Sequence, residues 1–296
     1  VIVAVTGASG FVGRHIVDQL VARGHRPRVL LRDPAHRPFL HPEACDVVAG
    51  SLADRPALQS LAAGAAAVIH LVGIIVERGS ATFTRIHVDG TRALIDAARD
   101  AGVPRFVHMS ALGARDEPGA TPYHRTKARG EAVVQASKLS AVVLRPSFIS
   151  GKGNQPIAVL ARLHRFAPVV PLFGDGTFPV QPMWIGDAAL AFALAAEGRG
   201  APGTYELAGP SAIPYSEFVR AIGRACGHPR PLVPIPLALV RFMARLFDVL
   251  GPLAPITSDQ LQMLVEGTAT SHNAIQSVFG IEPLDFEAGL RRYLPS

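Results

Sequence analysis

The sequence predicts an α/β protein built on a doubly wound parallel sheet, with a smaller C-terminal unit. Three observations carry that expectation. Short apolar runs alternate with amphipathic helical stretches, the pattern that covers both faces of a parallel sheet. Glycines at 7, 10 and 13 stand where the first apolar run meets the first amphipathic stretch. A chain of 296 residues, 49% hydrophobic and only 18% charged, is long and apolar enough to bury one large unit and a smaller partner.

The first run, Val1 to Thr6, reads as a strand that enters the glycine turn, and an amphipathic helix from Arg14 to Arg23 follows. Arg28 to Leu31 is the second strand, Asp46 to Ala49 the third, and Ala66 to Val72 the fourth, ending at Gly73. A long helix over 81–101 carries Ile86, Ala93, Leu94 and Ala97 on its apolar side, with Gly102 stopping it and Pro104 beyond. Arg105 to Met109 is the fifth strand and Ala141 to Leu144 the sixth. Right-handed crossovers through the helices then give the doubly wound order. Residues 1–150 with about 180–204 are expected to form the nucleotide unit, and 151–179 with 205–296 a smaller unit for substrate or partner.

A strand, a glycine turn and a helix N-terminus form what a dinucleotide's pyrophosphate requires. Gly7 permits the tight turn, Gly10 lets the backbone approach the phosphates, and Gly13 lets helix and strand pack closely; Ser9, Phe11 and Val12 complete the loop. Ligands in such sheets lie beyond the carboxyl ends of the strands. Ser51 and Leu52 after the third strand, and Leu71, Val72 and Gly73 after the fourth, are therefore further cofactor candidates. The second strand runs into Arg32, Asp33 and Pro34, with Arg37 and Arg14 nearby. An arginine here accommodates a 2′-phosphate, whereas an acid bonds a 2′-hydroxyl. Arg32 favours NADP(H); an inward-turned Asp33 would leave NAD(H) as the alternative.

Tyr123 and Lys127 are spaced so that a helix would place them on one face. A phenol titrates near 10, too high for acid–base work at neutral pH, and a neighbouring ammonium lowers it by favouring the phenolate. The same ammonium can bond a nicotinamide ribose. The pair fits hydride chemistry, with an exposed helix carrying an ordinary Tyr and Lys as the plain alternative.

Thr6 with the glycine triplet, the Tyr123/Lys127 pair, Leu144-Arg145-Pro146 and Ile185-Gly186-Asp187 occur in the order seen in extended short-chain dehydrogenase/reductases, which the chain resembles along nearly its whole length. His70 to Arg78, His108 to Gly113 and Leu144 to Ser147 resemble more closely the atypical branch that contains the NADPH-binding accessory subunit of respiratory complex I. The resemblance implies a Rossmann fold of the epimerase/dehydratase type, and an arginine–proline segment that brings Pro146 near the nicotinamide. Two positions depart from the enzymes' pattern. The second residue of the polar step after the fifth strand is Ala111, which cannot donate a hydrogen bond, so Ser110 either substitutes from one position earlier or the triad is incomplete. The helix position that is Asn in the enzymes is here His87.

Substrate-pocket residues are expected from Ser147 to Asn154 and from Phe178 to Met183. Leu237 to Leu250 has a broad apolar face of Leu239, Val240, Phe242, Met243, Leu246, Phe247 and Leu250, with Arg241 and Arg245 one turn apart on the other side. It is too short and too charged to span a bilayer. It fits a helix packed on its own unit, an interfacial helix on a membrane or membrane complex, or a homodimer contact.

Other classes are disfavoured. The net charge of +6 comes from scattered arginines, with Lys127, Lys138 and Lys152 the only lysines and no basic run interleaved with aromatics, so no nucleic-acid partner is expected. Cys45 and Cys226 are the only cysteines, and the eleven histidines show no ligand spacing, so no disulfide framework and no metal are expected. The chain opens directly on a strand, which makes a cytoplasmic location, with membrane-peripheral contact through 237–250, the expectation. Two functional classes stay open. One is an oxidoreductase, or an epimerase or dehydratase, moving hydride between NADP(H) and a small carbonyl or alcohol, with Tyr123 as acid/base, Lys127 tuning it and Ser110 orienting the substrate. The other is a non-catalytic NADPH-binding structural or assembly protein of a respiratory or quinone-related membrane complex.

Overall fold

A computed structural model of the chain describes residues 1–248 and 256–294. Its contacts divide the chain into two compact units: Val1–Pro146, Gly186–Leu207 and His272–Ile281 form one, and Ser147–Ile185, Ala208–Ser271 and Glu282–Ser296 the other.

In the first unit the short apolar runs become strands because their side chains are buried on both faces, the condition of a covered parallel sheet. They are β1 (Ile2–Thr6), β2 (Arg26–Leu31), β3 (Asp46–Ala49), β4 (Ala67–His70), β5 (Phe106–Met109) and β6 (Ala141–Pro146). Ala4, Val5, Val68, Ile69, Phe106 and Val107 are all fully buried. Helix α1 (Phe11–Ala22) follows β1, α2 (Arg55–Ala62) follows β3, α3 (Gly90–Asp100) follows β4, and α4 (Pro122–Ala136) follows β5. α1 buries Ile16, Val17 and Leu20. α2, α3 and α4 bury Leu58, Leu61, Leu94, Ala98 and Val134 together with Val68, Phe106 and Val143 of the sheet.

The second unit takes up the chain at β7 (Ile149–Ser150), α5 (Gln155–Phe166), β8 (Val170–Phe173), β9 (Pro179–Val180) and β10 (Met183–Trp184). The chain then returns to the first unit as α6 (Ile185–Ala196) and β11 (Gly203–Leu207). β11 adds a seventh parallel strand beside β6, giving the order β11-β6-β5-β4-β1-β2-β3. The winding reverses between β1 and β4, and that switch point opens a crevice at the carboxyl ends of the strands. Arg105 fastens the returning segment: its guanidinium donates to the carbonyls of Ala195 (2.9 Å), Arg199 (2.8 Å) and Gly200 (2.7 Å), which closes the C-terminal end of α6.

The rest of the second unit comprises β12 (Ile213–Pro214), α7 (Tyr215–Ala225), β13 (Leu232–Ile235), α8 (Leu237–Asp248) and α9 (Ser258–Glu266). After α10 (Ala274–Ser277), which belongs to the first unit, α11 (Phe286–Arg291) completes it. The strands pair two by two, β7 with β10, β9 with β12 and β8 with β13. An aromatic stack through Phe178, Tyr215, Phe218 and Phe286, with ring centroids 4.8–6.1 Å apart, forms the core.

Three details differ from the sequence reading. The first helix starts at Phe11 rather than Arg14, because Gly10 already stands at its N-cap. The helix expected over 81–101 opens as a π-turn, Arg85–Asp89, before α3 begins at Gly90. The wide turn carries His87 inward, and the Thr91 hydroxyl donates to the His87 carbonyl at 2.7 Å. The expected second unit ran unbroken from 205 to 296. Instead β11 and residues 272–281 join the first unit, with Glu206 bridging to Asn273 beside α10.

Candidate active site at the switch point of the sheet

A cavity of about 1290 Å³ lies along the carboxyl ends of β1 to β5, within the first unit. Its floor is the glycine turn. Gly7 has φ +76°, a left-handed conformation that favours glycine, and a Cβ there would stand 2.9 Å from the Val72 nitrogen. A Cβ on Gly13 would stand 2.1 Å from the Gly7 oxygen, so only hydrogen lets α1 start this close to the turn. α1 has no acidic residue in its first turn and no side-chain cap, which leaves its first N–H groups and positive dipole end for an anion. The turn thus fits the pyrophosphate of a dinucleotide.

On the adenosine side, Arg32, Gly50, Ser51, Leu52 and Arg55 line the wall. Asp33 does not line it. Its carboxylate instead accepts the Ala35 N–H at 3.0 Å, closing a turn on itself. On the opposite side the wall is built from Leu71, Val72, Gly73, Ile74, Met109 and Ser110, then Tyr123 and Lys127. Thr121 caps α4 by accepting the His124 N–H at 3.2 Å, and Pro122 occupies the first turn, so Tyr123 sits at the helix start with Lys127 one turn on. The Lys127 ammonium donates to the Met109 carbonyl at 2.6 Å. The Ser110 backbone N–H donates to Leu144 at 2.8 Å, and its buried hydroxyl has no hydrogen-bond partner among the described residues.

The electrostatics follow from burial. Desolvation pushes the half-buried Tyr123 phenol up to about 12. Desolvation pulls the buried Lys127 ammonium down to about 8, against the opposing pull of the Glu131 carboxylate. Glu131 in turn holds Arg145 of β6 through two bonds of 2.6 and 2.8 Å, tying α4 to the sheet.

Behind this wall lies a buried set of histidines and threonines. The Ile74 N–H donates to His87 Nε2 at 3.1 Å, so Nδ1 carries the proton and donates to Thr126 Oγ1 at 2.9 Å. The Thr126 hydroxyl in turn donates a hydrogen bond to the Pro122 carbonyl at 2.8 Å. His70 lies between Thr6 (2.7 Å) and Thr91 (3.0 Å). His108 packs against His70 with centroids 5.3 Å apart, both of its ring nitrogens unpartnered among the described residues. Burial drives all three below the usual range, His70 and His87 to about 3, with the Lys127 charge adding to the shift.

The profile of the NAD(P)H-binding family matches residues 7–168. The 2-alkyl-3-oxoalkanoate reductase of Stenotrophomonas maltophilia is 31% identical over 324 residues, an alignment covering 98% of this chain and 97% of that protein. This chain belongs to the NAD(P)H-binding short-chain dehydrogenase/reductase family. The ceramide reductase of Caulobacter vibrioides is 43% identical over 189 residues, which cover 64% of this chain but only 58% of that protein. Among its homologues is also the mitochondrial NADH dehydrogenase (ubiquinone) 1 alpha subcomplex subunit 9 of Arabidopsis thaliana, 27% identical over 93% of this chain and 72% of its own. The UDP-glucose 4-epimerase of Thermotoga maritima, at 18% identity, shares the fold with a TM-score of 0.77 over 98% of this chain and 96% of its own.

Of the residues the dehydrogenase/reductase pattern singles out, Gly7, Ser9, Gly10, Phe11, Val12, Gly13, Arg32, Ser51, Leu52, Leu71, Val72, Gly73, Ser110, Tyr123 and Lys127 all line the one cavity. Pro146 is the exception. It is buried at the end of β6, where its carbonyl accepts the Leu112 N–H at 3.0 Å, and it does not line the cavity. Ala111 does not line it either, whereas Ser110 does. His87 bonds main chain at Ile74, so it is tied into the site's frame rather than merely packed there. Ser147–Asn154 and Phe178–Met183 lie in the second unit, joined by the Ser147 hydroxyl donating to the Gln181 carbonyl at 2.6 Å. The sequence reading missed Met109, Ile74 and the Ser80–Thr82 segment of the wall. All follow β4 or close β5, so the rule that ligands lie beyond carboxyl ends points to them. Thr126 and the π-turn carry no such signal.

Proposed function

We propose that the protein is an NADP(H)-dependent oxidoreductase that moves hydride to or from a carbonyl or alcohol carried on an alkyl chain. The observation that carries this reading is the convergence of Tyr123, Lys127 and the unpartnered Ser110 hydroxyl on the wall of the cavity that the glycine turn floors. Arg32 on the adenosine wall, with the Asp33 carboxylate occupied by its own turn, supports NADP(H) over NAD(H). The relatives named as ceramide and 2-alkyl-3-oxoalkanoate reductases support an alkyl substrate over a nucleotide sugar, for which only low-identity structural likeness speaks.

The nicotinamide, when bound, supplies the hydride to carbon or takes it back. The chain's own residues deal with the oxygen. In the reductive direction the Tyr123 hydroxyl, protonated at neutral pH because burial holds its phenol up, gives its proton to the substrate oxygen as negative charge develops there. The Ser110 hydroxyl donates a hydrogen bond to the same oxygen and orients the carbonyl. Lys127, held by the Met109 carbonyl, would offset the phenolate left on Tyr123 and would hold the nicotinamide ribose. Removing the phenol while keeping the ring therefore separates chemistry from binding. Tyr123→Phe is expected to lower the reduction rate of a long-chain 3-oxo substrate by about 10²–10⁴-fold, with NADPH affinity unchanged by fluorescence titration. Loss of affinity with no loss of rate would overturn the assignment.

The second reading is an NADPH-binding structural protein, favoured by Ala111 in place of the hydroxyl donor and by the complex I subunit homologues. Exchange of bound NADPH against excess NADP⁺ separates the two. Exchange within seconds supports turnover, and nucleotide retained for hours supports the structural reading.

A further inference from the structure

We propose that α8 seats the protein on the surface of an anionic lipid bilayer, with Phe242 and Leu246 entering the acyl boundary and Arg241 and Arg245 meeting lipid phosphates. This inference concerns the second unit by itself and stands independently of the hydride chemistry.

At 3.6 residues per turn, α8 presents three arcs. Val240 and Ala244 are buried against Leu261, with Phe173, Ile235 and Leu237 beside them, so the helix is already docked on its own unit along one side. Leu239, Phe242, Met243 and Leu246 share a second arc that stays exposed among the described residues, Phe242 being 66% and Leu246 62% exposed. These four account for more than a third of the eleven large hydrophobic residues exposed among the described residues, concentrated on one helix of twelve residues. Single exposed apolar residues need no explanation, but a contiguous stripe does. Arg241 and Arg245 stand on the third arc, on the Phe242 side of the stripe, and both are exposed. The one acidic residue of the helix, Asp248, is engaged within the unit, where its carboxylate accepts the Ser258 N–H at 2.9 Å.

An apolar stripe with two arginines along its edge fits a helix lying in a bilayer interface, where the side chains enter the acyl boundary and the guanidinium groups reach up to phosphate. A second copy of the chain fits less well. A stable dimer needs roughly 800 Å² per partner with the charged residues at its rim, and four side chains on one helix fall short of that. Binding of such a helix scales with the apolar area it buries plus its attraction to anionic lipid, and α8 offers both. No helix among the described residues is long and apolar enough to cross a membrane.

The test is co-sedimentation of the full chain with vesicles of phosphatidylcholine alone and of phosphatidylcholine with phosphatidylglycerol. Binding is expected only to the anionic vesicles, weakening as salt rises. Arg241→Gln with Arg245→Gln should lower the partition coefficient by about thirty-fold, since each charge near such a surface is worth about 1 kcal/mol. Phe242→Glu with Leu246→Glu should abolish binding. All four side chains are exposed, so circular dichroism and NADPH fluorescence titration should match the parent for every variant. No sedimentation with anionic vesicles would overturn the proposal. So would a dimer in solution that the Phe242/Leu246 variant dissociates, and so would equal binding by the arginine variants.

Discussion

At the residue scale, the preference proposed for NADP(H) rests on two neighbours at the end of β2. Arg32 lines the cavity while the Asp33 carboxylate is spent on the Ala35 N–H. Arg32→Asp is expected to raise the Kd for NADPH by ten-fold or more and to bring NADH binding up to it, because a 2′-phosphate then meets a like charge. An unchanged NADPH preference on titration of the variant would show that some other basic residue holds the phosphate. Which of the two faces the ligand was not legible in the sequence, since adjacent residues at a strand end can turn either way. Gly7 and Gly13 were legible, because a close approach of backbone to backbone leaves hydrogen as the only side chain that fits. Ser110 lies between these cases: its strand-end position was readable, whereas the partnering of its hydroxyl depends on tertiary neighbours that a sequence does not show.

At the element scale, α4 presents the tyrosine and lysine, and its distance from the π-turn positions both. Gly130 sits at that contact, where a Cβ would stand 2.5 Å from the His87 carbonyl. Gly130→Ala therefore has to push α4 away from the π-turn or distort the turn. A loss of about 1–3 kcal/mol of stability is expected from such overpacking, together with a fall in turnover larger than the fall in NADPH affinity, because the glycine cradle at α1 is untouched. Urea unfolding and steady-state kinetics on the one variant check both halves. The Thr121-Pro122 start of α4 and the Gly102 stop after α3 are written in local sequence signals. The π-turn is not. It depends on His87, Thr91 and Thr126 meeting across two helices, which a periodic pattern read along one helix does not show.

At the scale of the whole molecule, the doubly wound class and six of the seven strands followed from alternation, whereas β11 and the return of residues 272–281 to the first unit did not, because one edge strand and a four-residue helix leave almost no periodic trace. The buried histidines give the fold a dependence on pH with a definite sign. His70, His87 and His108 are held neutral below their usual value near 6.5. Above pH 6.5 they are neutral in folded and unfolded chains alike and contribute no pH dependence. As pH falls from 6.5 towards 3 the unfolded chain takes up protons first, so stability drops by up to ~1.4 kcal/mol per pH unit for each histidine. Urea midpoints between pH 7 and 5 should show the slope. His108→Leu should make it shallower by removing one titrating group, and the ring it removes makes no hydrogen bond among the described residues. A slope identical to the parent's would mean that the titrating groups lie elsewhere.

Arg105 and β11 also bear on how the chain acquires its shape during synthesis. β6 is made early, yet the strand that covers its edge ends at Leu207, and the carbonyls of Ala195, Arg199 and Gly200 that receive the Arg105 guanidinium are likewise made after β6. Until those residues emerge from the ribosome, the nascent first unit carries an open strand edge and an unsatisfied guanidinium, the state in which chains pair with one another. The whole second unit is interleaved with that wait, since its segments lie on both sides of β11 in the chain. The first unit closes only with residues 272–281 and the second with the segment that follows them, so the two are completed almost together rather than one after the other.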